Sequence, residues 1–364
     1  MPNESTMSYK CPSCDARLRF DAKTGRLQCD YCGGSFAVDE VAAYNAAQEG
    51  EKPRPDAPAD SEPSAGEESG EDLGVLTCPT CGGELVFEKD TAASACPYCG
   101  NPAMVKSRLT GKFKPELIIP FAVPKEQAKE ALKKYAGKRI LLPHGFLSES
   151  RLESIQGIYL PFWLYHCTAD ASAVFSAQKS FTTRGSSYDT VRTDYFEIDR
   201  DASMAFENVA VDGSSRMADS LMDAISPYSF SEARAFSTAY LSGFLADRYD
   251  EDSDKCSDRA KTRIESTALA QLRRSVTGYE NVSVKTSNIA ERDFGAHYAL
   301  LPVWLLVNRY KGEAYTYAMN GQTGKFIGEL PVSKKRFWLF TLALTLGIGA
   351  LIAAVYFFIL RGGM

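Results

Sequence analysis

The chain has 364 residues, a net charge of −5, ten cysteines, three histidines and 45% hydrophobic residues. At roughly 100–200 residues per domain, that is room for two or three folded units. The composition excludes wholesale disorder and a small disulfide-stapled secreted scaffold, and the acidic balance argues against a whole-surface grip on nucleic acid.

Eight of the ten cysteines fall in the first hundred residues as four CxxC pairs. Cys11 and Cys14 are followed after fourteen residues by Cys29 and Cys32, and Cys78 and Cys81 after fourteen by Cys96 and Cys99. A shift of 67 maps one unit on the other, carrying Leu18, Phe20, Tyr31 and Gly33 onto Leu85, Phe87, Tyr98 and Gly100. This internal repeat predicts two four-cysteine zinc ribbons, at 1–36 and 77–105. Each CxxC turn presents two thiolates to a tetrahedral ion, and the residues between form a hairpin. Such a unit is too small to bury a core, so two structural zinc ions would supply the folding energy. Four cysteine ligands leave no open position for catalysis. No signal peptide precedes the first pair, so a reducing compartment is expected rather than disulfides. Cys167 and Cys256 are left over and read as buried thiols without a role.

Between the ribbons, 37–76 is predicted to be an acidic disordered linker. Glu49 to Asp72 holds nine Asp/Glu against Lys52 and Arg54 and has no aromatic or large aliphatic residue. The ribbons would then be independent heads on a tether.

A folded body is expected over 106–333. Leu117 to Phe121 reads as a buried strand. A helix follows Pro124, with Ala128, Ala131, Leu132 and Tyr135 on one face. Ile158 to Tyr165 and Val191 to Ile198 read as strands. Ser214 to Ile225, Arg234 to Tyr249 and Ser257 to Val276 read as helices, the last with Ile264, Ala268, Leu272 and Val276 as a stripe. Leu301 to Arg309, Ala314 to Met319 and Lys325 to Gly328 read as a β-meander with Asn320-Gly321 as turn residues. Tyr159-Leu-Pro-Phe-Trp163 echoes Leu300-Leu-Pro-Val-Trp304, which suggests a duplicated β unit with a tryptophan in each copy, core rather than ligand site. HExxH, GxSxG and Walker A signatures are absent, His144, His166 and His297 have no fixed spacing to acidic partners, and no enzyme is predicted.

Phe337 to Leu360 is an uncharged run of 24 residues, and about 20 suffice to cross a bilayer core. Trp338 and Tyr356 sit near opposite ends. Lys334, Lys335 and Arg336 before the run, against Arg361 after it, place the N-terminal bulk in the cytoplasm by the positive-inside rule. The expected fold class is therefore multidomain: two small β zinc ribbons, an α+β cytosolic body and one C-terminal transmembrane helix at 337–360.

The N-terminal ribbon together with Leu117-Ile-Ile-Pro-Phe121, Tyr240-Leu-Ser-Gly-Phe244, and Leu301-Pro-Val-Trp304 through Tyr315-Thr-Tyr-Ala-Met-Asn-Gly-Gln-Thr-Gly324 resembles a bacterial family of membrane-anchored TFIIB-type zinc-ribbon proteins. The resemblance covers most of the chain and implies no known catalysis. Some relatives resemble components of envelope-stress systems that act beside flotillin-like (SPFH) and PspA-type proteins.

The expected function is a membrane-tethered zinc-ribbon adaptor that recruits or scaffolds membrane proteins, or membrane-associated cytosolic proteins, at the cytoplasmic face, held to the bilayer by 337–360. The alternative is a nucleic-acid-binding ribbon protein at the membrane. There only the first ribbon qualifies, with five Lys/Arg against three Asp, whereas the second has Lys89 against Glu84, Glu88 and Asp90.

Overall fold

A computed structural model describes residues 9–16, 18–49, 73–78, 82–88, 96–98, 105–107, 115–137, 139, 141–143, 146, 152–310, 313–328 and 330–362. The first ribbon is a three-stranded sheet, β1 (Leu18–Asp21), β2 (Arg26–Cys29) and β3 (Ser35–Phe36), paired antiparallel. The helix α1 (Val38–Glu49) follows it directly. The expected linker over 37–76 is therefore shorter at both ends, because 38–49 is helical and β4 (Leu73–Thr77) is a strand. The remainder, 50–72, lies outside the described residues.

β4 pairs with β5 (Glu84–Glu88) and β6 (Val105–Ser107). The body begins with β7 (Leu117–Ile118) and α2 (Lys125–Gly137), whose buried face is Ala128, Leu132 and Ala136. Two very long strands follow, β8 (Gln156–Arg184) and β9 (Asp189–Asp212). α3 (Asp219–Ile225) is shorter than the sequence pattern suggests. Next come β10 (Arg234–Ala235), β11 (Leu245–Asp247) and α4 (Ser253–Ser275). β12 (Glu280–Tyr310), β13 (Glu313–Asn320) and β14 (Phe326–Gly328) form the meander, and α5 (Lys334–Gly362) ends the described chain.

The helix expected over 234–249 is not there. The segment instead makes β10, a 3₁₀ turn at Thr238–Leu241, and β11. Gly243 at φ +88° interrupts it, and glycine adopts that backbone readily while ending a helix. Leu245, Ala246 and Asp247 are then buried between β8 and β5, and pairing on both edges overrides helix propensity.

β8 and β12 pair antiparallel over most of their length at the centre of an 11-stranded sheet. Their surroundings are related by a pseudo-two-fold. β8 pairs parallel with β11 at Ile158 and Tyr159, and β12 pairs parallel with β7 at Ala299 and Leu300. Each then gains an antiparallel neighbour at the next positions, Phe162↔Asp212 from β9 and Val303↔Asn320 from β13. The repeated unit is β-α-β-β, β7-α2-β8-β9 and then β11-α4-β12-β13, with the first strand of each unit paired to the long strand of the other. The Pro-x-Trp echo is thus the centre of a duplication that spans the body.

Up to Tyr165, β8 is buried on both faces, as expected for a strand inside a covered sheet. Beyond it, exposure alternates: Cys167, Ala169, Ala171, Ala173, Phe175 and Ala177 are buried in turn. α4 covers that face with Cys256, Ala260, Ile264, Ala268 and Leu272, one residue per turn. Alanine on the strand lets the helix axis come close, and the Asp252 carboxylate caps its start by accepting from the Lys255 N–H at 2.9 Å. The result is a three-stranded arm (β9, β8, β12) backed by one helix. The β8–β9 hairpin extends past the first paired residue of β12, opposite Gln178, by six residues to Arg184, roughly 20 Å at strand rise.

Candidate metal centre

Cys11, Cys14, Cys29 and Cys32 converge, with their sulfur atoms all within 4.8 Å of one another. Cys11 Sγ lies 3.5 Å from Cys32 Sγ, and Cys14 Sγ 3.5 Å from Cys29 Sγ. A tetrahedral ion with metal–sulfur bonds of about 2.3 Å needs sulfurs about 3.8 Å apart, so the donor set fits a metal ion.

Two tight turns build the site. Asp15 N–H donates to Cys11 O at 2.9 Å and Cys11 N–H to Ala16 O at 2.8 Å, with Asp15 at φ +60°. Gly33 N–H donates to Cys29 O at 2.9 Å and Cys29 N–H to Gly34 O at 2.9 Å, with Gly33 at φ +73°. Ser13 N–H points at Cys11 Sγ, 3.4 Å away, as a donor to a thiolate should. As free thiols Cys14 and Cys29 do not titrate alike. The backbone N–H of Cys32 leads in pulling Cys29 down to about 7. The Ala16 backbone contact also lowers Cys14, but burial and the neighbouring thiols push it up to about 12. A cation removes that conflict by letting all four ionise together.

The second ribbon repeats the first turn. Gly82 N–H donates to Cys78 O at 2.9 Å and Cys78 N–H to Gly83 O at 2.8 Å, with Gly82 at φ +70°. These are the Asp15, Cys11 and Ala16 positions shifted by 67. Cys78 and Cys96 are buried; Cys81 and Cys99 lie outside the described residues.

Neither ribbon is an independent head. β5 continues the body sheet by pairing with β11, Val86↔Ala246 and Leu85↔Asp247. The first ribbon sits on the 3₁₀ turn at Thr238–Leu241. Phe20 N–H donates to Ser242 O at 3.3 Å, the Phe20 ring meets Tyr240 and Phe244 edge-on at 5.5 and 6.5 Å, and the Tyr9 hydroxyl is 2.7 Å from Thr238 Oγ1. Cys11, Leu18, Phe20, Leu27 and Cys29 share one core with Phe121, Tyr159 and Trp304. The sequence signal for this docking was Phe20, an aromatic that a unit this small cannot bury with Leu18 and Leu27 alone, and Tyr240-Leu-Ser-Gly-Phe244, which supplies the rings it meets.

The two leftover cysteines and the two tryptophans of the echo lie within the body. Cys167 and Cys256 are buried, and burial raises both thiols. Trp304 is buried and Trp163 half-buried, each with its indole N–H on a main-chain carbonyl. Gln322 to Lys325 closes the β13–β14 turn, where Asn320 Oδ1 accepts from the Gln322 and Thr323 N–H groups at 2.9 Å each. α5 includes one segment long and apolar enough to cross a membrane, 334–355, with none of it buried against the body.

The chain is 33% identical over 328 residues to a Bacillus subtilis (strain 168) protein described as "Uncharacterized protein YdjG", a match covering 90% of this chain and 91% of that one. No protein-family model matches, and no solved structure does.

Proposed function

The chain belongs to the family of Bacillus subtilis YdjG, and we propose that it is a membrane-anchored, zinc-stabilised adaptor whose β-arm holds partner proteins at the cytoplasmic face. The observation that carries this reading is the arm. Its tip exposes Phe181, Tyr188, Val191 and Tyr195, with Tyr188 and Tyr195 each 77% exposed. Val191 and Tyr195 share one face of β9 and Phe181 lies on the other; isolated apolar residues at a surface are ordinary, but this many at the end of a long projection is what a protein-docking site offers. The anchor is tied to the other end of the body. Ser333 N–H donates to Leu141 O at 2.9 Å, and Arg336 donates to Leu142 O. Nearby, Phe146 O accepts from Asn308 Nδ2 at 2.7 Å, at the end of β12 away from the tip.

Zinc is the ion that four thiolates select in a reducing compartment. The repeated turn at Cys78 supports a second zinc held by Cys78, Cys81, Cys96 and Cys99. With metal in place the first ribbon packs on the body core and the second extends the body sheet, rather than either reaching for ligands. Lys334, Lys335 and Arg336 ahead of the span favour a cytoplasmic body. Partners of SPFH or PspA type at the membrane are the class that the family resemblance suggests.

A photo-crosslinking residue at Tyr188 or Tyr195 tests this in intact cells. Membrane-associated proteins should be captured from the tip and not from Glu130 on α2. Equal capture from both positions, or nucleic acid alone at the tip, would overturn the adaptor.

A further inference from the structure

Two of the chain's three histidines meet where the arm joins the body. His166 on β8 and His297 on β12 have ring centroids 5.1 Å apart and planes 24° apart. Two imidazoles sharing one ion through nitrogens about 2.1 Å from it, at a tetrahedral angle, place their centroids about 5 Å apart.

Three further features are built around this pair. First, His297 Nδ1 is 2.7 Å from Glu116 Oε2. The Glu116 main chain is held in place, because Glu116 N–H donates to Tyr298 O at 2.8 Å and Glu116 O accepts from Phe236 N–H at 3.0 Å. A histidine whose Nδ1–H is given to a carboxylate has Nε2 free as a ligand and its ring orientation fixed, the usual arrangement behind a metal-bound histidine. Second, the residue directly opposite His166 is Gly295. A Cβ there would lie 2.6 Å from His166 Nε2, so the ring occupies the space that a side chain at 295 would take. Third, both strands flanking β8 are irregular at this level. β9 places Glu207 and Asn208 opposite His166 between the pairs Tyr165↔Val209 and Cys167↔Phe206. β12 inserts Asp293 and Phe294 between Arg292↔Thr168 and Gly295↔His166. Asn208 and Asp293 adopt φ +55° and +54°. Bulges re-aim side chains and gather next to functional sites. They also bring acidic residues, Glu207 and Asp293, into the strands around the pair, which favours a cation.

We propose that His166 and His297 bind a divalent transition-metal ion, with Glu116 as the positioning residue for His297. This site is separate from the cysteine centres and chemically unlike them: two imidazole nitrogens suit zinc, nickel or copper, and they leave coordination positions open to water or an incoming ligand. An ion here would join β8 to β12 and, through Glu116, to the segment leading into β7.

Ni²⁺ is the probe, because elemental analysis separates it from zinc held by cysteine. Untagged full-length protein in detergent is dialysed against Ni²⁺ at neutral pH. One Ni²⁺ per chain is expected, with His166→Asn and His297→Asn each weakening binding at least 100-fold and Glu116→Gln weakening it about 10–100-fold. Zinc content should be the same in all four proteins, which shows that the variants are folded. Wild-type protein that binds no Ni²⁺ at 100-fold excess, or a double His166→Asn/His297→Asn variant that binds it as tightly as wild type, overturns the site. Unchanged affinity in Glu116→Gln overturns the role given to Glu116.

Discussion

Trp163 and Trp304 make the same hydrogen bond to opposite halves of the body. Trp163 Nε1 donates to Glu251 O at 2.9 Å, and Trp304 Nε1 donates to Val123 O at 2.9 Å. The correspondence continues around them. Gly213 N–H donates to Pro161 O at 2.9 Å, as Gly321 N–H does to Pro302 O at 2.8 Å. Glu251 and Val123 each precede the start of a helix and each donate their N–H to the matching glycine carbonyl, at 3.1 and 2.8 Å. Both indoles therefore satisfy main-chain acceptors at the crossing of two intertwined units. Trp163→Phe and Trp304→Phe should each destabilise the protein by about 1–3 kcal/mol, the cost of orphaning a buried acceptor. The buried Trp304 should cost more than the half-buried Trp163. Urea unfolding of the two variants checks the order, and a loss under about 0.5 kcal/mol for Trp304→Phe would mean water replaces the indole.

How far this was legible in the sequence follows from which interactions are local. The cysteine spacing, the α4 stripe and the Asn320 turn depend on near neighbours and were readable. The Pro-x-Trp echo showed the duplication at its centre but not its extent. The matching residues of β7 and β11, or of Val123 and Glu251, are joined by backbone hydrogen bonds that impose little on side-chain identity. β8, β9 and β12 were read as short strands because alternation with Ala, Ser, Thr and Asp gives a weak hydrophobic signal. The His166–His297 pair depends on register across two strands 131 residues apart, set by the bulge at Asp293.

The exchange of first strands makes the two units interdependent. A unit expressed alone keeps its long strand but loses the parallel neighbour, β11 for β8 or β7 for β12. A protease site placed at Ser231, in the 3₁₀ turn at Phe230–Glu232, should yield two fragments that stay together through size exclusion in detergent. Either fragment expressed alone should aggregate. A soluble, cooperatively unfolding single fragment would contradict the intertwining.

The cysteine cluster should hold one ion in Cys11, Cys14, Cys29 and Cys32, and the second site proposed at Cys78, Cys81, Cys96 and Cys99 would make two. Elemental analysis of untagged protein should find two zinc ions per chain, and Cys29→Ser should remove one of them. Because Leu18, Phe20 and Leu27 share the body core, loss of that ion should also loosen the surface around Tyr240 and Phe244. Hydrogen exchange at 238–244 should rise in Cys29→Ser and stay at the wild-type rate in Cys167→Ser. Unchanged exchange in Cys29→Ser would mean the ribbon docks without its metal.

Trp338 and Leu346 on α5 are 69% and 66% exposed, an apolar surface that water does not tolerate over this length. Deleting 337–360 should move the protein from the carbonate-washed membrane pellet to the supernatant with its zinc content intact. A deletion variant that stays in the pellet would place the membrane attachment elsewhere in the chain.

Asp247 sets a pH dependence in the opposite direction from a surface carboxylate. It is fully buried on β11, 3.1 Å from Arg216 Nη1, and accepts from Ser214 Oγ at 2.9 Å and from the Arg248 N–H at 2.9 Å. Burial pushes its carboxyl up to about 6, with Arg216 opposing the shift. Asp212 behaves alike: burial raises it to about 6 against the pull of Arg259. Unfolded, each titrates near 3.9. The folded state therefore binds protons that the unfolded state has released. The associated stabilisation is complete below about pH 3.9 and is lost as pH rises through about 6. Between pH 5 and pH 7 each carboxyl should subtract about 1 kcal/mol from stability. Asp247→Asn should flatten that slope by about half, and Asp247→Asn with Asp212→Asn should remove most of it. Tyr98 of the second ribbon, whose phenol is raised by burial and by the Asp247 charge, should report the same transition through its fluorescence or ultraviolet absorbance. A slope that survives in the double variant would place the titrating groups outside this buried pair.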